Sequence, residues 1–190
     1  MKKLLLFMSV CIFGMSAVAQ STYTLDKNHA RLSFSAFHMG ISHIEGNFKI
    51  FNATFIFSKE DFSDARIEMT AEVKSINTEV EMRDNDLKSP KWFDAEKYPA
   101  LTFKSISFNK ISGKDYKLKG NITIHGVTKP IEFDVIYNGK GQNPISKKYS
   151  YGFSISGILN RNDFGIGGEP LATGVGNEIE LKSNIEFPTN

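Results

Sequence analysis

The chain has 190 residues, 41% hydrophobic and 12% aromatic, with ordinary glycine and proline contents and a formal net charge of +2. That composition argues against collagen-like, low-complexity and polytopic membrane architectures. The cations form no basic run, so the sequence carries no electrostatic footprint for nucleic acid or an anionic membrane surface.

Residues 1–19 read as an export signal. Lys2 and Lys3 precede the apolar run Leu4 to Val10, and Ala17-Val18-Ala19 has the small-x-small spacing of a signal-peptidase site. Cleavage is expected after Ala19, leaving 20–190 as one domain of 171 residues with no net charge. The only cysteine, Cys11, lies inside the signal, so the mature domain is expected to use neither disulfide nor thiol chemistry. A periplasmic or secreted location follows, without stable membrane insertion. No run after residue 20 approaches the roughly 18 apolar residues of a spanning helix.

In chain order, strands are expected at 29–38 and 43–57. From Ala65 to Ser75 the alternation is strict: Ala65, Ile67, Met69, Ala71 and Val73 are apolar, while Arg66, Glu68, Thr70, Glu72 and Lys74 are polar. Residues 77–97 break the pattern. Thr78 and Glu81 have capping-box spacing and Pro90 follows, which predicts a helical crossover long enough to cover one end of a barrel. Strands resume at 99–108, at Tyr116 to Ile124, at Ile131 to Tyr137, at Tyr149 to Ile155 and at Val175 to Phe187. Turns are expected at Ser112-Gly113-Lys114-Asp115 and His125-Gly126, with a longer loop from Asn138 to Pro144. The expected fold is all-β: about eight long antiparallel strands, closed into an extended barrel that leaves no exposed edges.

An eight-stranded barrel is wide enough either to be filled by side chains or to hold one small ligand, and periodicity alone leaves both open. Phe34, Phe48, Phe55, Phe57, Phe103, Phe133 and Phe153 are inner-face candidates, with Ile122, Ile124 and Ile155. Small residues at Ala53, Ala65, Ala71, Ser105 and Gly120 tilt the balance toward a cavity.

After the signal there are 17 lysines but only four arginines, Arg31, Arg66, Arg83 and Arg161. Arg83-Asp84 and Arg161-Asn162-Asp163 pair guanidinium with carboxylate where the strand pattern stops. They read either as stitches at a barrel rim or as anchors for a polar head group. His38 and His43 could meet across Met39-Gly40-Ile41-Ser42, yet no third ligand stands at a recognisable spacing, so no metal is expected. Neither G-x-S-x-G nor a P-loop occurs. Gly165-Ile166-Gly167-Gly168 reads as a flexible loop at the mouth.

Several motifs resemble the YceI-like family, also named for polyisoprenoid binding. They are Phe37-His38-Met39-Gly40 with Ser42 to Phe48, Arg83-Asp84 with Leu87-Lys88-Ser89, Trp92-Phe93-Asp94 leading to Tyr98-Pro99, Gly120 to Pro130, and Arg161-Asn162-Asp163-Phe164-Gly165. The resemblance spans nearly all of 22–187. It implies a lipocalin-like barrel enclosing a long-chain isoprenoid or fatty amphiphile, with no enzyme activity and no cofactor other than the lipid. On that reading Phe34, Phe48, Phe55, Trp92, Phe103, Ile122, Phe133 and Phe153 line the tunnel. His38, Arg83, Asp84, Arg161 and Asp163 belong to the mouth or head-group end. Two alternatives stay open: an enzyme acting on a bound amphiphile through His38, Asp84 or His125, and an outer-membrane β-barrel. Homodimerisation is left open.

Overall fold

Alternation of apolar and polar residues puts the large side chains of every strand on one face, and a sheet so patterned must curl until that face is covered. The structure is a computed structural model describing residues 20–168 and 174–189; the expected signal at 1–19 lies outside the described residues. Eleven strands occur among them: β1 (Ser21–Thr24), β2 (Arg31–His38), β3 (Ser42–Phe48), β4 (Phe51–Phe57), β5 (Arg66–Glu72), β6 (Ile76–Asn77), β7 (Ala100–Ser112), β8 (Asp115–Ile124), β9 (Val127–Gln142), β10 (Tyr149–Asn160) and β11 (Val175–Pro188). They form one antiparallel sheet in the order β1-β4-β5-β7-β8-β9-β10-β11-β2-β3-β6.

Eight uninterrupted strands are expected from the alternation; the observed count is eleven. One addition is the short β1. The others arise because 43–57 and 65–77 each bend at a corner, Lys49-Ile50 in one and the 3-10 turn Val73–Ser75 in the other. Ser75 ties the corners together: its carbonyl accepts from the Lys49 N–H (3.1 Å) and its hydroxyl accepts from the Ile50 N–H (3.0 Å). After the second corner Ile76 of β6 pairs with Phe48 of β3, just before the first.

Tight turns fall as expected at Gly113-Lys114 and at His125-Gly126, where both residues take positive φ (51° and 75°), as a two-residue hairpin loop requires. The loop expected at 138–144 is displaced: β9 runs on to Gln142 and the connection is 143–148. The crossover is mostly turn. Its one helix, α1 (Glu81–Lys88), has Val80 as N-cap without a side-chain bond. Thr78 does not cap it: its hydroxyl accepts from Arg83 Nε (2.8 Å) and donates to Asp84 Oδ1 (2.6 Å).

One end of the interior is filled by aromatic rings. Phe55 is fully buried, with the rings of Phe57, Phe62, Phe108, Phe153 and Phe187 at 4.7–6.1 Å. Tyr116 and Tyr137 join this plug, and burial pushes both phenols up. The outward face is charged: Lys117 bridges Glu132 and Asp134 (3.1 and 2.8 Å), and Lys119 reaches Glu132 (2.9 Å). A bilayer-spanning barrel carries the opposite pattern. Among the described residues no helix is long and apolar enough to cross a membrane.

Truncating Phe55 removes the ring that all of its neighbours share. Phe55→Ala should therefore destabilise the domain by about 3–5 kcal/mol in denaturant unfolding; a loss below about 1 kcal/mol would mean that the plug is not closely packed.

Candidate functional site

Beside the plug the interior is not full. A cavity of about 70 Å³ is bounded by Leu32, Phe48, Phe51, Ala53, Ile67, Met69, Leu101, Phe103, Leu118, Ile122, Phe133, Ile155, Leu181 and Ile185, an almost wholly apolar lining. Of the tunnel residues expected from sequence, Phe48, Phe103, Ile122 and Phe133 line it. Phe55 and Phe153 belong to the plug, Trp92 to the capped end, and Phe34 packs half-buried at the margin. Leu32, Ile67, Met69, Leu101, Leu118, Leu181 and Ile185 are lining residues that the aromatic pattern overlooks, and Phe51 is an aromatic one absent from the expected set. Their strand parity was the available signal.

Two rings that bound the cavity, Phe103 and Phe133, and a third at its margin, Phe34, lie on glycines of neighbouring strands. A Cβ at Gly46 would come within 2.3 Å of the Phe34 ring, at Gly120 within 2.5 Å of Phe103, and at Gly157 within 2.5 Å of Phe133. Glycine lets each ring lie along the wall rather than project into the lumen. Inner-face side chains beside the cavity are incompletely covered: Phe34, Met69, Ile131, Ile155, Ile179 and Leu181 are all half-buried.

The opposite end is capped by the crossover and by 161–168. Arg161 is 2% exposed, and its guanidinium donates to the carbonyls of Gly176 (3.0 Å), Ile166 (2.5 Å), Gly168 (2.7 Å) and Val175 (2.9 Å). It also stacks 5.6 Å from the Trp92 ring. Gly167 permits that: a Cβ there would fall 2.2 Å from the indole. Ile166 and Gly167 are buried, so the expected flexible mouth loop is instead a packed strap. Trp92 Nε1 in turn donates to Asp86 Oδ2 on α1 (2.8 Å).

Arg83 and Asp84 form a second knot. Asp84 is buried, its Oδ1 accepts from the Thr78 N–H (2.7 Å), and Arg83 donates to the Thr78 hydroxyl and carbonyl (both 2.8 Å). Both arginines donate to this chain's own oxygens, Arg161 through Nε, Nη1 and Nη2 and Arg83 through Nε and Nη2. Asp163 is exposed. His125 donates from Nδ1 to the Phe164 carbonyl (3.0 Å) against Tyr98, joining the β8–β9 turn to the strap.

His38 and His43 do not meet. His43 lies opposite Phe37, packs against it with ring centroids 4.8 Å apart and is bonded to Ser35; His38 lies opposite Ser42, so alternation sends it to the other face. Among the described residues no cluster of three or more metal-ligating side chains occurs. Asn177 Oδ1, in the irregular start of β11, is a buried acceptor without a partner.

Residues 23–187 match the model of the YceI-like domain. A UPF0312 protein of Pectobacterium atrosepticum is 33% identical over 153 residues, covering 80% of this chain and 79% of that protein. The crystal structure of Burkholderia cenocepacia BcnA superposes with a TM-score of 0.75 at 24% identity, over 85% of this chain and 98% of that one. A polyisoprenoid binding domain from Saccharophagus degradans superposes with a TM-score of 0.64 at 13% identity, over 88% and 98% of the two chains.

The stitch geometry of Arg161 has a measurable consequence. Lysine offers three donors from one point and cannot span four carbonyls, and each lost bond from a charged donor costs about 1.5–3 kcal/mol. Arg161→Lys should lower the melting temperature by several degrees; an unchanged melting temperature would place the guanidinium's role outside stability.

Proposed function

The chain belongs to the YceI-like family, and on that premise we propose that it binds a long-chain isoprenoid or fatty amphiphile in the cavity of its curled sheet. The observation carrying this reading is the glycine-backed cavity itself, lined by apolar side chains of which Met69, Ile155 and Leu181 are only half-buried. A core selected only for stability would close over such side chains. The binding domain from Saccharophagus degradans, alike in fold, supports an isoprenoid chain as one candidate.

At about 70 Å³ the resting cavity is smaller than the roughly 150 Å³ void that accommodates one benzene. A chain of ten or more carbons therefore enters as the lining moves aside. Each buried CH₂ contributes about 0.8 kcal/mol, so ten supply roughly 8 kcal/mol against the costs of ordering and repacking. Side-chain commitments favour carriage over turnover: Asp84 is held by Thr78, and His125 Nδ1 by the Phe164 carbonyl. Export completes the proposal, with residues 1–19 removed and the carrier acting in the periplasm or outside the cell. N-terminal sequencing of the exported protein should then begin at Gln20; a retained Met1 would contradict it.

Binding is tested by calorimetric titration with dodecanol. The expected result is saturable 1:1 binding with a negative heat-capacity change, the mark of apolar burial. Gly157→Ala, which drives the Phe133 ring into the lumen, should weaken it about tenfold, since overpacking a core costs about 1–3 kcal/mol. No binding by the unmodified protein would overturn the carrier reading.

A further inference from the structure

The wall around the cavity has a seam. The β2–β3 ladder ends at Ser33–Asn47, because the chain at Lys49-Ile50 turns toward Ser75 and away from β2. Below that point β4 pairs with β1 up to Thr24–Thr54, and the Leu25 N–H donates to the Ala53 carbonyl (3.0 Å). Between these two zippers no ladder joins residues 27–32 to 48–52. Side chains alone close the gap.

Two residues, both almost fully buried, border both sides of it. Phe48 and Phe51 line the interior cavity and also an open outer groove of about 530 Å³, whose other walls are Lys27, Ala30, Arg31, Asn47, Lys49, Ile50 and Glu79. Leu32, at 8% exposure, stands beside them on the cavity side. Here no ladder stands between the interior and the groove, and Phe48 (5% exposed) and Phe51 (8% exposed) are the residues the two linings share.

The groove also gathers three uncommitted cations. Lys27, Arg31 and Lys49 are exposed, and none has a carboxylate within 4 Å among the described residues. Arg31 spends only Nε, on the Ser33 hydroxyl (3.1 Å). Asp26, next to Lys27, is taken by His29 Nδ1 (2.9 Å). Glu79 is the one carboxylate in the groove wall, and it accepts from the Asn77 amide. Three positive charges against one negative, around a gap into an apolar cavity, match a ligand with an anionic head and an apolar tail.

Building on the carrier reading, we propose that this seam is a lateral portal and head-group site. Lys27, Arg31 and Lys49 hold the phosphate or carboxylate of an anionic amphiphile while its chain passes Phe48 and Phe51 into the cavity. The head group is thereby placed on the flank of the sheet, away from the capped end where Arg83 and Arg161 already donate to this chain's own oxygens.

Dodecyl phosphate and dodecanol, equal in chain and different in head, test this. The unmodified protein should bind dodecyl phosphate about tenfold or more tighter, as several exposed charge contacts together provide. The preference should shrink between 50 and 500 mM NaCl, since exposed charges are screened. In the triple variant Lys27→Gln, Arg31→Gln, Lys49→Gln the two affinities should converge, dodecanol binding and melting temperature staying as they were. If dodecanol binds but dodecyl phosphate has no advantage, or the triple variant keeps it, the portal assignment fails and the carrier reading survives. If neither amphiphile binds, both fail. Dodecanoate in place of the phosphate tells which anionic head the site prefers.

Discussion

Rings resting on glycines are the contact on which the rest of the structure depends. Phe103 and Phe133 are large enough to fill the centre of the sheet between them, and Gly120 and Gly157 let both lie along the wall. The neighbouring plug around Phe55 is filled by aromatic rings. The molecule thus divides its interior: one end is packed solid and supplies stability, and the middle is left apolar and underfilled. In a domain without disulfides, that division gives the cavity its rigid floor.

Arginine and lysine divide the surface in a parallel way. Arg161 and Arg83 tie loops down through planar, multiply donating contacts to fixed carbonyls and a hydroxyl, a geometry that a flexible ammonium cannot reproduce. Trp92, held by Asp86 and stacked against Arg161, joins the crossover to the strap, so the capped end behaves as one packed unit. The lysines stay solvated, some pairing across strands, as Lys117 and Lys119 do, and some left without partners at the seam. A closed cap and an unzipped flank together favour entry through the side of the sheet.

The all-β class, most strand positions and both tight turns were legible from alternation and turn residues, and the family from motifs such as Gly120 to Pro130. The corners left a mark that simple strand spotting misses. The apolar phase runs 44, 46, 48 before Lys49-Ile50 and 51, 53, 55, 57 after it, and it slips again between Val73 and Ile76. A phase slip within one apolar stretch is a bend, and here two bends turn a plain barrel wall into a sheet with a seam. Thr78 misled because hydroxyl spacing cannot tell whether a side chain turns to a backbone N–H or to a buried carboxylate. The partition of the phenylalanines between plug, wall and cavity was hidden as well. It depends on which residue lies on the adjacent strand, and that register emerges only once β7, β8, β9 and β10 are paired.

The central claim is that the underfilled interior is a place for a hydrocarbon chain. Native mass spectrometry of the protein purified from its own cells without detergent tests it most directly. The account predicts a species heavier than the polypeptide by the mass of one amphiphile, lost on extraction with organic solvent and recovered in the extract. A spectrum showing the polypeptide alone, with an extract free of lipid, would contradict it.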